Sequence, residues 1–114
     1  MATTYVRRFN LKDSLSDAEV IAYWRFLTDE FLPLIQKAKG VNAVKYYSGA
    51  GALRADLRIV IDMDHAGVYE SLLVEAELRQ RLGRFYGAID LSTSSQTFFR
   101  EVTPELIQAL SSTG

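Results

Sequence analysis

The sequence predicts a single α+β domain, with four strands in one antiparallel sheet and helices packed on one of its faces. Three observations carry this. Tyr5, Arg7, Phe9 and Leu11 alternate with Val6, Arg8 and Asn10, the two-residue period of a strand. Val20, Trp24, Leu27, Phe31, Leu34 and Ala38 recur at spacings of four and three, the stripe of a buried helix face. Leu57, Ile59, Ile61 and Met63 then face one way, while Arg54, Asp56, Arg58 and Asp62 face the other.

The first strand is Tyr5 to Leu11, and a long helical pattern follows it. Ser16 and Glu19 form a capping box at its start: the hydroxyl takes a first-turn amide while the carboxylate reaches back. Lys37, Lys39 and Gly40 suit its end, with cations at the negative pole and glycine for a left-handed cap. Pro33 lies inside the pattern and lacks a backbone donor, so it should kink or split the helix near Asp29. Val41 to Ser48 is the second strand and Gly49-Ala50-Gly51 a turn. Leu53 to Met63 is the third strand, and Asp64 is placed to cap the next helix. That helix carries Val68, Leu72, Ala76, Leu78, Leu82 and Phe85, with a break expected near Val74 to Ala76. Gln96 to Val102 alternates again as a fourth strand, and Ser92 to Ser95 reads as a polar loop. Thr103-Pro104-Glu105 opens a short helix to Leu110. Residues 1–110 form one domain, and 111–114 a flexible tail.

The resulting order, β-α-β-β-α-β plus a terminal helix, is the split βαβ or ferredoxin-like pattern. Its helices cover one sheet face only. The other would expose Val, Tyr and Phe side chains over more area than soluble monomers usually tolerate, and a second copy is the simplest cover.

Composition narrows the function. The chain has 114 residues, 48% hydrophobic and 24% charged, with a net charge of −1. That is the make-up of an ordinary globular domain, without the basic face a nucleic-acid partner would need. Cysteine is absent, which removes disulfides, cysteine-ligated zinc and thiol nucleophiles. No apolar run reaches membrane-spanning length and no signal pattern opens the chain, so a cytoplasmic protein is expected, with no membrane partner. One histidine and scattered carboxylates make a poor ligand set, so neither a metal nor a tightly bound redox cofactor is expected.

The run Asp17-Ala18-Glu19-Val20-Ile21-Ala22-Tyr23-Trp24, followed by Phe31-Leu32-Pro33-Leu34 and Lys39-Gly40-Val41, resembles the EthD-like branch of the dimeric α/β-barrel superfamily. The resemblance implies a homodimer whose two sheets close face to face into a barrel. It also implies a small-molecule cleft between sheet and helices. The superfamily holds cofactor-free monooxygenases, polyketide cyclases, isomerases and haem-degrading enzymes, so the resemblance leaves the activity open. The EthD-like pattern often carries a histidine two residues before the proline, where this chain has Phe31. The Asn, Trp and His of the haem-degrading branch are not matched.

Five residues are candidates for a site between the sheet and the first helix. His65, the only histidine, is a candidate general base, against the reading of a surface histidine without a role. Tyr46, on a strand, is a candidate catalytic hydroxyl. Arg58, Tyr86 and Tyr23 are candidate ligand-binding groups, with Arg58 either an anion ligand or an ion-pair partner of Asp56 or Asp62. Arg7 and Arg100, on neighbouring strands, raise the same question. Aromatic walls and one arginine suit a small, flat, weakly acidic molecule such as a phenol or an enolisable ketone. Two functions follow: a dimeric module that binds such a ligand, or a cofactor-independent monooxygenase, cyclase or isomerase acting on it.

Overall fold

The computed structural model describes residues 2–113. The elements are β1 (Thr3–Leu11), α1 (Asp17–Phe26), a π-helical turn (Leu27–Phe31), α2 (Leu32–Lys37), β2 (Val41–Tyr47), β3 (Leu57–Met63), α3 (Gly67–Leu73), α4 (Ala76–Gly87), β4 (Ile89–Phe99) and α5 (Pro104–Thr113). The four strands form one antiparallel sheet in the order β2-β3-β1-β4, the ferredoxin-like topology. Among the described residues no helix is long and apolar enough to cross a membrane.

Local chemistry accounts for the helix boundaries. At the start of α1 the Ser16 hydroxyl accepts from the Glu19 amide at 3.2 Å, and the Glu19 carboxylate accepts from the Ser16 amide at 3.0 Å. That contact holds the Glu19 carboxyl below its ordinary value. The expected break before Pro33 takes the form of the π turn, in which the Leu32 amide reaches back to the Leu27 carbonyl. Beyond the π turn the buried stripe shifts by one residue, from Leu34 to Ile35; before it Tyr23 and Phe26 are buried, whereas Trp24 is only partly covered. Gly40, after α2, has φ +89°, and a Cβ there would come within 2.6 Å of Val68. Glycine is required on both counts. The second break falls at Val74 and Glu75, between α3 and α4.

Several boundaries differ from expectation. Asp64 does not cap α3; its carboxylate accepts from Asn42, and the helix begins later, at Gly67. β3 begins at Leu57, because Asp56 before it has φ +54°, outside the extended region; Arg54 lies in the loop, bonded to the Leu15 carbonyl and to Asp17. β4 runs from Ile89 to Phe99, so Arg100 to Val102, expected in it, lie beyond its end, whereas Ser92 to Ser95 are strand. They look like a loop because β4 is an edge strand with a bulge opposite Arg8 to Asn10, where the Thr93 hydroxyl stands in for a ladder acceptor of the Asn10 amide. Finally α5 runs to Thr113, with the hydroxyls of Ser111 and Ser112 bonded to carbonyls of the preceding turn. The expected tail is thus helical as far as Thr113; Gly114 lies outside the described residues.

The core lies between the sheet and α1 to α4. Phe9, Leu57, Met63 and Ile89 are fully buried from the strands, and Val20 and Leu27 from the first helical segment. Register fixes which strand residues face it. Tyr5, Arg7 and Phe9 pair with Ile61, Ile59 and Leu57, and Tyr46 pairs with Ile59. All of these therefore point toward the helices. Val6, Arg8, Tyr47, Arg58 and Val60 point to the opposite, uncovered face.

Candidate functional site

Between the sheet and the α3–α4 pair lies a partly open cavity of about 60 Å³. Its floor is Tyr5 and Arg7 of β1 with Ile59 and Ile61 of β3. Its roof comes from α3 and α4, mostly leucines with Tyr69, Phe85 and Tyr86. The first helical segment contributes only Phe31, which stacks on Phe85 at 4.7 Å with the rings 10° apart. The cleft is therefore under the second helical segment, where the break at Val74 and Glu75 divides the roof into two short helices. Phe31 stands where the EthD-like pattern often has histidine, and here it is apolar wall.

One charged group reaches this cavity. Arg7 sits on the core-facing side of β1 between Tyr5 and Phe9. Its Nε donates to the Tyr5 hydroxyl at 2.9 Å and one terminal nitrogen to Ser94 Oγ at 2.9 Å. The other donates to Gln96 Oε1 at 3.0 Å and approaches the Tyr86 hydroxyl at 3.5 Å, with the guanidinium 5.5 Å from the Tyr86 ring centre. The four ion pairs among the described residues do not include Arg7. Burial works against its charge, but the oxygens of Tyr5 and Tyr86 more than offset this and hold its pKa above the ordinary value. Tyr5 is buried and stacks on Tyr69 at 4.6 Å. Desolvation, then the bond with Tyr69, pushes the Tyr5 hydroxyl well above the usual tyrosine range, so it stays protonated.

The candidates from the sequence separate. Tyr86 lines the cavity beside Arg7. Tyr23 is buried outside the lining, where its hydroxyl donates to the Phe85 carbonyl at 2.9 Å and ties α1 to α4. Desolvation keeps this hydroxyl protonated as well. Tyr46 faces the helices but meets Trp24 edge-on at 5.8 Å, away from the cavity. The Tyr46 hydroxyl and the Trp24 indole nitrogen are both buried, with no hydrogen-bond partner among the described residues. His65 is exposed in the turn before α3, and its Nδ1 accepts from the Gly67 amide at 3.1 Å. Arg58 faces away from the helices and pairs with Asp56 at 3.2 Å. Tyr46 and Arg58 do not meet: Tyr47, not Tyr46, lies opposite Arg58, and neighbouring residues on a strand point to opposite faces.

In the sequence Arg7 only shares the question posed by Arg58, and it is not among the five candidates. The signal was present, since a charge stands inside the apolar alternation Tyr5-Arg7-Phe9-Leu11, whereas Arg58 stands on the charged side of its own strand. A charge on the core side of a strand needs a cavity or a partner. Among the described residues no group of three His, Cys, Asp or Glu side chains is close enough to hold a metal.

No protein-family model matches the chain, and no curated protein matches it. Solved structures do. A dimeric protein of unknown function with a ferredoxin-like fold from Bacteroides fragilis superposes with a TM-score of 0.72 at 9% identity, over 88% of this chain and 96% of that one. SnoaB from Streptomyces nogalater, a cofactor-independent oxygenase, superposes with a TM-score of 0.64 at 13% identity, over 90% and 97%. An EthD-family protein from Bacillus halodurans superposes with a TM-score of 0.62 at 11% identity, over 90% and 100%. Likeness at these identities establishes architecture, and the chain is a ferredoxin-like α+β domain of the kind these three proteins share.

Proposed function

We propose that this protein binds a small, flat, weakly acidic molecule, aromatic or enolisable, in the cleft under α3 and α4, and that it works as a homodimer. The observation that carries the ligand reading is Arg7: a partly buried guanidinium in the floor of an apolar cavity, with no carboxylate among the described residues to neutralise it. A charge kept in the fold for stability alone would be expected beside its counter-ion. Here the neighbours are neutral oxygens, which orient the guanidinium and leave its charge for an anion or a polarised carbonyl. Aromatic and leucine walls supply the apolar remainder of such a site. Tyr86 is the second contact, placed to bond the same ligand oxygen or to cover its ring.

The homodimer reading rests on the uncovered sheet face. Val6 and Val60 pair across its two central strands, and Tyr47 and Phe99 flank them at 49% and 53% exposure. The dimeric neighbour from Bacteroides fragilis supports the same assembly.

A second reading, a cofactor-independent monooxygenase, cyclase or isomerase, is favoured by the likeness to SnoaB. In that case Arg7 and Tyr86 would hold a substrate enolate or phenolate and the apolar roof would exclude water. No histidine or carboxylate lines the cavity, so the substrate's own acidity would have to supply the carbanion.

Thermal shift of the wild-type protein with a panel of substituted phenols and aryl acids tests the binding reading. Stabilisation that disappears in Arg7→Met and weakens in Tyr86→Phe is the expected result. Stabilisation unchanged in both variants would remove the cleft from consideration.

A further inference from the structure

We propose that the side-chain amide of Gln96 occupies the position of the ligand's charged oxygen, and that an aryl or enol anion binds by displacing it. The inference rests on the cleft being a ligand site and adds where the anionic oxygen sits and what holds its place.

Three donors converge on one atom. Gln96 Oε1 accepts from the Tyr5 hydroxyl at 2.9 Å, from Arg7 at 3.0 Å and from the Tyr69 hydroxyl at 3.2 Å. The orientation of the amide follows from chemistry, since its NH₂ end would confront a guanidinium that cannot accept. A neutral amide oxygen has two lone pairs, one fewer than the donors aimed at it. A carboxylate offers about four acceptor sites over its two oxygens and a phenolate oxygen up to three, and the charge of either also answers the unpaired guanidinium. The donor set therefore matches an anion better than it matches the group now in place.

Donors and acceptor differ in how firmly they are held. Tyr5 is 3% exposed; its ring stacks on Tyr69 at 4.6 Å, and both rings pack against Phe98 at 5.2 and 5.4 Å. Arg7 is fixed independently by Ser94 and by Tyr5. The donors are thus positioned by packing and by each other. Gln96 stands exposed on the edge strand β4, and its amide nitrogen has no bond within the described residues. Rotating it out breaks three bonds to one oxygen, and an entering anion remakes all three. Tyr5, Arg7 and Tyr69 all line the cavity, so a molecule whose ring lies in the cleft can bring its oxygen to the donors they share.

The test is calorimetric titration of benzoate, and of benzamide as its neutral counterpart, into the wild-type protein, Gln96→Ala, Gln96→Glu and Arg7→Met at pH 7. Gln96→Ala should bind benzoate about tenfold more tightly than wild type, because the competing acceptor is gone. Gln96→Glu should bind it at least about tenfold more weakly, because a tethered carboxylate fills the position. Benzamide, which brings an amide oxygen without the charge, should gain less than benzoate from Gln96→Ala and lose less from Gln96→Glu. If Arg7→Met loses benzoate while Gln96→Ala leaves it unchanged or weaker, the cleft stands and the displacement idea is wrong. If Arg7→Met binds benzoate as wild type does, the ligand reading itself fails. A second measurement needs no ligand. Gln96→Glu should raise the melting temperature by about 4 °C at pH 7. The gain should vanish on acidification below about pH 4, since a carboxyl depressed by Arg7 stabilises only while ionised. A melting temperature unchanged or lowered at pH 7 overturns the proposal whatever benzoate does.

Discussion

Arg7 and Arg8 are neighbours in sequence and opposites in structure. Arg8 points to the uncovered face of the sheet, where its Nε meets Asp56 at 2.6 Å and Arg58 shares the same carboxylate. Arg7 points under the helices, where it meets hydroxyls, an amide and no carboxylate. The same side chain has a carboxylate partner on the face proposed for assembly and none under the helices. Stability alone would pair Arg7 as well, because an unpaired charge costs more as its surroundings lose water. On the proposed reading, the contrast separates a face for assembly and ion pairing from a face that takes a ligand.

The largest effect should come from the packing of the covered face. Phe9 is fully buried and meets Phe85 edge-on at 5.9 Å. Phe9→Ala should cost about 4 kcal/mol in urea unfolding. Arg58→Ala, which loses only an exposed pair, should move the same midpoint far less. Comparable losses would mean that the uncovered face carries more of the fold than its exposure suggests.

Assembly gives the next test. Val60 lies at the centre of the uncovered face, opposite Val6. Light scattering should give the wild-type protein twice the chain mass of 12.8 kDa, and Val60→Asp a single chain mass with unchanged circular dichroism. A wild-type monomer would leave that face without its proposed cover.

The two faces should also respond at opposite ends of the pH scale. Hydrogen bonds from Arg8 and then Arg58 hold the Asp56 carboxyl below its ordinary value. Its stabilising effect is present above about pH 4 and lost as pH falls through the depressed folded value. The stability difference between wild type and Asp56→Asn should therefore shrink only in acid. Asparagine also tolerates the φ of +54° at this position, so the comparison isolates charge. On the covered face, burial raises the hydroxyls of Tyr5, Tyr23 and Tyr46. The unfolded chain then releases their protons first, so stability should fall as pH rises past about 10. Tyr5→Phe and Tyr46→Phe should each reduce that alkaline loss.

Much of the architecture was legible in the sequence because local rules agreed with it. The Ser16–Glu19 box, the split before Pro33 and the break after α3 each have a local cause and appear where that cause acts. β4 was half hidden, because Ser92 to Ser95 form part of an edge strand whose bulge is patched by a side chain. The site was the least legible part. Arg58 stood out as a charge on a strong strand, yet alternation within that strand places it with Asp56 and Asp62, away from Ile59 and Ile61. His65 and Tyr46 stood out by residue type, which says nothing of whether a cavity lies beside them. The cavity arises from the way α3 and α4 divide over β1 and β3, and that is a tertiary fact.

The central claim is that Arg7 is held for a ligand and Arg8 for the surface. Calorimetric titration of benzoate into Arg7→Met and Arg8→Met, side by side with wild type, tests it most directly. The prediction is that Arg8→Met binds as wild type does and that Arg7→Met shows no measurable heat of binding. Equal binding by the two variants would contradict it.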